Sequence, residues 1–365
     1  MKRKVLHIAS LMIVAAILLA ACGGTATPAA MVPVRLQLQW VAQSQFAGYY
    51  AAVAEGYYKE EGLDVTILEG APDIVPQQVC ANGGAEFCLS WVPKALQSRE
   101  GGADLVNISQ VFQRSGTLEV SFASKGINGV ADLKGKRVGV WDFGNEHEVF
   151  AALRAGGIDP ENAGDVTIKI QPFDMTLLLT DEIDAAEAMT YNEYAQVLEQ
   201  VNPATGELYQ PEDLHVINFN DVGTAMLQDA VWATETYLKG AGNEDVAVKF
   251  LRASYRGWIF CRDNFDKCVE HVLAAGPTLG ESHMRWQLNE INKLVWPSPN
   301  GIGLMDTALW DQTVRVSKEG KVLANDPDAG AYRTDLAQKA LEGISGDTKG
   351  ANFAPITVEL KAGGE

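Results

Sequence analysis

The 365-residue chain is short of positive charge, with 29 Lys and Arg against 47 Asp and Glu and a formal net charge of −18. Nucleic-acid binding rests on clustered Lys and Arg meeting phosphates, so this balance argues against such a partner. Cysteine is also scarce, at five residues: Cys22, Cys80, Cys88, Cys261 and Cys268. No stretch beyond the N-terminal segment approaches the ~20 consecutive apolar residues that a membrane-spanning helix needs. The chain lacks HExxH for zinc hydrolysis, GxSxG for a nucleophile elbow and GxxxxGK[ST] for nucleotide phosphates. His147, His215, His271 and His283 have no spacing that suggests a catalytic triad. No motif therefore supports an enzyme reading, and neither a cofactor nor a catalytic residue is expected.

What is present begins with an export leader. Lys2, Arg3 and Lys4 precede an apolar run from Ile8 to Ala21 broken only by Ser10, the n-region and h-region of a secretory signal over residues 1–21. Leu19, Ala20, Ala21 and Cys22 resemble the lipobox of bacterial lipoproteins, which implies lipidation at Cys22 and a tether over residues 22–33. Loss of the leader's three cations takes the net charge from −18 to −21. The remaining chain exceeds the ~250–300 residues at which single cores tend to split, so two lobes are expected. With Cys22 assigned to lipid, four cysteines remain, and an even count in an exported protein points to disulfides. Three pairings are open; the local ones, Cys80 with Cys88 and Cys261 with Cys268, are favoured. A zinc site built on Cys261, Cys268 and His271 is the alternative, and it lacks an obvious fourth ligand.

The body is organised around Leu36 to Leu68. Leu36, Leu38 and Trp40 alternate with Gln37 and Gln39, the period of a strand. The spacing then predicts a helix from Phe46 to Glu55, a turn at Gly62 and a β-branched strand at Val65 to Ile67. Such a βαβ unit gathers Trp40, Gln43, Phe46 and Tyr49 around one crevice. The plan repeats at Gly135 to Ile170: a strand ending at Trp141, a turn, a helix opened by Asn145 and Glu146, a glycine pair and a second strand. Asn145 has a capping alternative. Two lobe crossings are placed near Gln113–Gly116 and Asn220–Gly223, which gives a discontinuous first lobe (residues 34–116 and 222–365) and an inserted second lobe (117–221). A chain so arranged closes on a ligand by hinge bending. After the second crossing the pattern reads as mainly helical, and the tail from Lys349 is expected to be mobile.

The lipobox, the Gln39-Trp40 strand end, the segment AGYYAAVAEGYYKEEGLDVTI and the segment EIDAAEAMTYNE together resemble type II solute-binding proteins of ABC importers. The similar branch is the one related to nitrate, sulfonate and taurine binders that captures thiamine-pyrimidine precursors or riboflavin. The resemblance spans Val34 to about Trp296. It implies an α/β, two-lobe periplasmic-binding-protein fold, each lobe a βα-wound sheet, with the ligand in the interlobe cleft. It also implies a monomer held by lipid outside the cytoplasm, with a permease and an ATPase as partners. Carried over by position, Trp40, Trp91, Trp141, Tyr191 and Glu193 line the cleft; Phe46, Tyr49 and Asn145 join them as candidates. Trp40 and Trp141 end equivalent strands and offer rings from opposite lobes, while Glu193 is placed to meet ring N–H groups or, alternatively, the helix dipole. Two ring stacks and one carboxylate contact amount to about 4–9 kcal/mol before costs, against about 8 for micromolar binding.

An anionic ligand such as nitrate or a sulfonate calls for Arg near the strand ends, and Arg99 and Arg114 do not sit there. An aromatic heterocycle is expected instead, with riboflavin slightly ahead of a pyrimidine precursor because several Trp and Tyr positions gather at the cleft edges. Two rival classes remain. Eukaryotic pyrimidine synthases share the fold but carry a cysteine-rich iron-binding run absent here, and an exported ligand-sensing receptor uses the same closing cleft.

Overall fold

The computed structural model of the chain describes residues 30–365. The leader, Cys22 and most of the tether lie outside the described residues. Ten strands form two five-stranded sheets. The first contains β1 (Val32–Gln37), β2 (Leu63–Leu68), β3 (Phe87–Ser90), β4 (Leu105–Gln110) and β10 (Ala230–Thr234), in the order β2-β1-β3-β10-β4. The second contains β5 (Thr117–Phe122), β6 (Arg137–Val140), β7 (Thr167–Ile170), β8 (Ala185–Met189) and β9 (Leu214–Asn218), in the order β7-β6-β8-β5-β9. The two orders are equivalent. In each, a parallel βαβ pair is followed by a third strand, and an antiparallel strand is inserted before the fourth. The inserted strand, β10 or β5, is the one that arrives from the other sheet. The repeated plan read at Leu36–Leu68 and Gly135–Ile170 is thus a repeat of topology.

Ala230–Thr234 corrects the reading of the region after the second crossing as mainly helical. Its residues are buried on both faces, inside the sheet between β3 and β4, so the segment shows no alternation, and a short apolar run cannot be told from helix by period. β1 starts at Val32, so Val32 and Pro33 belong to a strand paired with Leu63 and Asp64 rather than to the tether.

The helix α1 (Ala47–Ala54) packs under the first sheet against the long α6 (Asn243–Asp263); between them in sequence lie α2 (Pro76–Ala81), α3 (Val92–Glu100), α4 (His147–Ala155) and α5 (Glu193–Leu198). The face that α1 buries is made of small residues, Ala47, Gly48, Ala51 and Ala52, together with Tyr49. Small residues are required because α6 comes very close: a Cβ on Gly257 would stand 1.9 Å from the Gly48 carbonyl oxygen. α7 (Phe265–Ala275), α8 (Glu281–Val295), α9 (Thr307–Glu319) and α10 (Asp335–Glu342) complete the body. Phe46, at 0 % exposure, and Tyr49, at 2 %, lie in this core, with Tyr49 edge-on to Trp258 at 5.7 Å. Both were cleft candidates, and both are packing residues. Burying rings of this size stabilises each by about 1.5–3 kcal/mol.

The two crossings, Val111–Gly116 and 219–229, run side by side. Phe112 donates its N–H to the Asp229 carbonyl, and Gly116 donates to the side chain of Gln228, which in turn donates to Thr117. α8 braces the same region: Trp286 Nε1 donates to the Thr190 carbonyl, and Thr190 Oγ1 to Glu290. His283, also on α8, bridges Glu199 and Asn192 at 2.7 and 2.8 Å. The C-terminal tail is tied down rather than loose. Ser298 donates to the Lys349 carbonyl, Gly363 donates to the Glu199 carbonyl, and Gly364 is buried.

Cys261 and Cys268 are bonded in the structure, with Cα atoms 4.9 Å apart across the α6–α7 turn. Cys80 and Cys88 are free and buried, which corrects the expected pairing between them. Cys80 on α2 and Cys88 on β3 fill a small apolar core with Val92, Ala95 and Trp232, where a thiol packs as a small hydrophobe. Burial beside Cys80 pushes the Cys88 thiol well above its ordinary pKa. His271, the third member of the zinc alternative, is engaged by Glu55 at 2.7 Å.

Candidate functional site

A cavity of about 200 Å³ opens between the two sheets. Its walls come from the loops after β1, β3, β6, β7 and β8, together with the segment Ala71–Gln77. This is the carboxyl end of the parallel strands, where open α/β sheets expose loop and helix-start residues. Of the eight candidates, Trp40, Trp91, Trp141, Asn145, Tyr191 and Glu193 line it.

Trp40 is set by a bend after β1. Gly70 donates to the Trp40 carbonyl, and a Cβ on Gly70 would stand 2.4 Å from the Trp40 nitrogen, so only glycine lets this loop close. Trp141 follows β6 in the other lobe; its backbone N–H is held by Glu187, and its indole Nε1 donates to the Pro172 carbonyl at 3.2 Å. The ring of Phe173 packs on both tryptophans, tilted at 58° to Trp40 with centroids 4.6 Å apart and stacked at 23° on Trp141 at 6.0 Å. Sequence reasoning missed Phe173. The Pro-Phe-Asp turn has no periodicity, and only the approach of a residue 133 positions away gives it a role.

The floor is polar and buried. Asp229, in the second crossing, accepts from Gln39 Nε2 at 2.6 Å, from Gln45 Nε2 at 3.0 Å and from Trp91 Nε1 at 2.9 Å. Burial nevertheless pushes its carboxyl up to about 7, because three hydrogen bonds do not fully replace the water it has lost. Asp229 therefore orients three cleft side chains at once. The sequence held no signal for it, since a lone Asp in a loop reads as surface.

Glu193 lines the cavity, but its oxygens are already engaged. One accepts from the Met189 N–H at 3.0 Å and the other from Asn192 Nδ2 at 2.7 Å. It stands in the first turn of α5, the position that the helix-dipole alternative described, and burial raises its pKa. Asn145 is not a helix cap, because α4 begins at His147 with Glu146 at the N-cap. Asn145 Nδ2 donates instead to the Asp142 carbonyl, and its Oδ1 accepts from Lys94 Nζ at 2.8 Å. That last bond crosses the cleft from α3.

Lys94 is the one cation among the lining residues. Burial pulls it down to about 8, against the opposing pull of Glu146, Glu187 and Asp229. Its ammonium also lies 5.2 Å from the Trp91 ring centroid. Arg99 and Arg114, the cations considered for an anionic ligand, are used elsewhere: Arg99 pairs with Asp328 and Glu235, and Arg114 donates to carbonyls of Lys293 and Pro297. The cleft is thus walled by rings and amides, with one lining cation that Asn145 already holds.

Phe143, another lining ring, is 75 % exposed at the mouth and has a positive φ of 63°. Its N–H is held by the Asp142 side chain, and the conformation is uncommon for a side chain of this bulk.

Comparison with known proteins places these features in context. The NMT1/THI5-like family model matches residues 43–267. The chain is 26 % identical over 309 residues to the riboflavin-binding protein RibY of Chloroflexus aurantiacus, covering 81 % of this chain and 83 % of that one. It is 24 % identical over 294 residues to a formylaminopyrimidine-binding protein of Halalkalibacterium halodurans, covering 78 % and 84 %. Among solved structures, the alkanesulfonate-binding protein SsuA from Xanthomonas axonopodis pv. citri superposes with a TM-score of 0.60 at 13 % identity, over 84 % of this chain and 99 % of that one. A Candida albicans protein described as having the generic periplasmic binding protein fold gives 0.55 at 14 % identity, over 91 % and 99 %. The two-lobe periplasmic-binding-protein fold follows from these likenesses together with the matched sheet orders, and the chain belongs to the NMT1/THI5-like family.

Proposed function

We propose that this chain is the extracytoplasmic solute-binding component of an ABC importer, held by lipid at Cys22, and that it captures an uncharged aromatic heterocycle between its lobes. A riboflavin-like flavin leads and a thiamine-pyrimidine precursor follows. The observation that carries the reading is that Trp40 and Trp141, from opposite lobes, both line the cavity and both pack on one aromatic ring, that of Phe173. Offset or tilted ring contacts at 4.5–7 Å are favourable, so the slot suits a flat π-system. Gln39, Gln43, Gln45 and Asn192 supply the few placed polar groups that such a ligand needs for orientation. A relative that binds riboflavin and one that binds a formylaminopyrimidine, each aligned over most of both chains, support the same ligand class.

The lobes in this reading are residues 34–116 with 222–365, and 117–221, closing about the paired crossings. The one lining cation, Lys94, is already held by Asn145, and Arg99 and Arg114 are used elsewhere, which sets an anionic sulfonate behind a neutral ring. The test is mass spectrometry of small molecules that co-purify with the folded protein, followed by titration with riboflavin and with a hydroxymethylpyrimidine. Quenching of flavin fluorescence at micromolar protein supports the leading ligand; binding of the pyrimidine alone moves the assignment to the second; binding of a sulfonate alone refutes the reading.

A further inference from the structure

We infer that Phe173 is a resident ring that fills the ligand slot of the unliganded protein and must swing out before an aromatic ligand enters, so that it sets the affinity and size selectivity of the cleft. The inference rests on the reading of the cleft as an aromatic-heterocycle site.

The turn that carries Phe173 is fixed on both sides, while its ring is not. Before it, Gln171 exchanges two side-chain hydrogen bonds with the backbone of Glu187, at 2.8 and 3.1 Å, and donates its own N–H to the Val140 carbonyl. Pro172 has its carbonyl held by the Trp141 indole. After it, Asp174 accepts from the Thr176 N–H at 2.8 Å. The Phe173 ring keeps 37 % of its surface in solvent and packs against the rings of Trp40 and Trp141, which the ligand is expected to use.

Three consequences follow. The ring joins the lobes without ligand, since it belongs to the second lobe and touches Trp40 of the first. A flat ligand that stacks on Trp40 and Trp141 takes the place that Phe173 holds against them, so binding is a displacement. The displacement is feasible because a half-exposed side chain rotates about χ1 without moving its anchored backbone. A tricyclic ring system needs the whole slot and so feels the displacement fully, whereas a single small ring in the remaining cavity feels less of it.

The experiment uses the mature protein as wild type, Phe173→Ala and Phe173→Leu. In the ligand-free state, acrylamide quenching of tryptophan fluorescence rises in both variants as Trp40 and Trp141 lose their cover; unchanged quenching overturns the inference. In titrations with riboflavin, the Ala variant binds about tenfold tighter, the factor expected when two ring contacts no longer have to be broken, and the gain for a hydroxymethylpyrimidine is smaller. If wild type binds and the Ala variant binds equally or more weakly, Phe173 is a wall that stacks on the ligand, and the displacement model is wrong while the cleft assignment stands. If no form binds either compound, the cleft assignment fails and the inference falls with it. The Leu variant, which keeps an apolar side chain in the turn, separates loss of the ring from damage to the loop: it must follow Ala in direction.

Discussion

Replacing Asp229 by Asn isolates the buried carboxylate under the cleft. In the folded protein its pKa is pushed from 3.8 up to about 7 by burial. The folded state therefore keeps a proton that the unfolded chain releases, and the stability from this proton is fully present below about pH 4 and lost as pH rises through about 7. Three units at 1.36 kcal/mol each make the total roughly 4 kcal/mol. The Asn variant cannot titrate, so the stability of wild type relative to the variant falls by about 3–4 kcal/mol between pH 4.5 and pH 8. Other buried carboxyls such as Glu148, pushed up to about 8, are common to both proteins and cancel in the difference. Urea unfolding followed by tryptophan fluorescence at pH 4.5, 6.0, 7.0 and 8.0 measures it. Parallel stability curves would refute the reasoning, because they would mean that the N–H groups of Gln39, Gln45 and Trp91 compensate the ionised carboxylate as well as water does.

Trp40→Ala and Trp141→Ala each weaken riboflavin binding by about 1–3 kcal/mol in calorimetry; Trp141→Ala also lowers thermal stability, since it frees the Pro172 carbonyl. An equal affinity in either variant would remove that indole from the site. Phe46→Ala costs about 3–5 kcal/mol of folding stability, because it empties a position with no solvent exposure; in the fraction that remains folded, ligand affinity is unchanged. Alkylation of the denatured, unreduced protein with mass-spectrometric mapping labels Cys80 and Cys88 and leaves Cys261 and Cys268 unlabelled. Label on the latter pair would show that the α6–α7 turn is not cross-linked.

Much of the cavity lining was legible because strand ends and the loops after them form the edge of the sheet where the cavity opens. A strand that ends in an aromatic places that ring at the sheet's carboxyl edge, which is how Trp40 and Trp141 were read, while Trp91 came from the resemblance; all three line the cavity. The same logic misplaced Phe46 and Tyr49. They lie on α1 after the same strand, but α6, some two hundred residues later, covers that helix and turns a candidate wall into core. β10 escaped notice because burial on both faces erases alternation. Lys94, Asp229 and Phe173 have no local signature, and each matters only for what another part of the chain brings against it: Asn145 for Lys94, Gln39, Gln45 and Trp91 for Asp229, the two tryptophans for Phe173.

The amino-acid sequence by itself determined the acidic balance, the α/β class, the twofold use of one βαβ plan, the return of the chain to its first lobe and the set of aromatics at strand ends. These are properties of composition and short-range periodicity, and a strand or helix reads its own apolar face from residues two to four positions apart. Tertiary structure alone decided which rings face the cleft, which carboxylates are buried beneath it and which side chain fills the space between the lobes. Those outcomes depend on contacts between segments far apart in sequence, where the energy of burial belongs to both partners and is visible in neither one's local sequence.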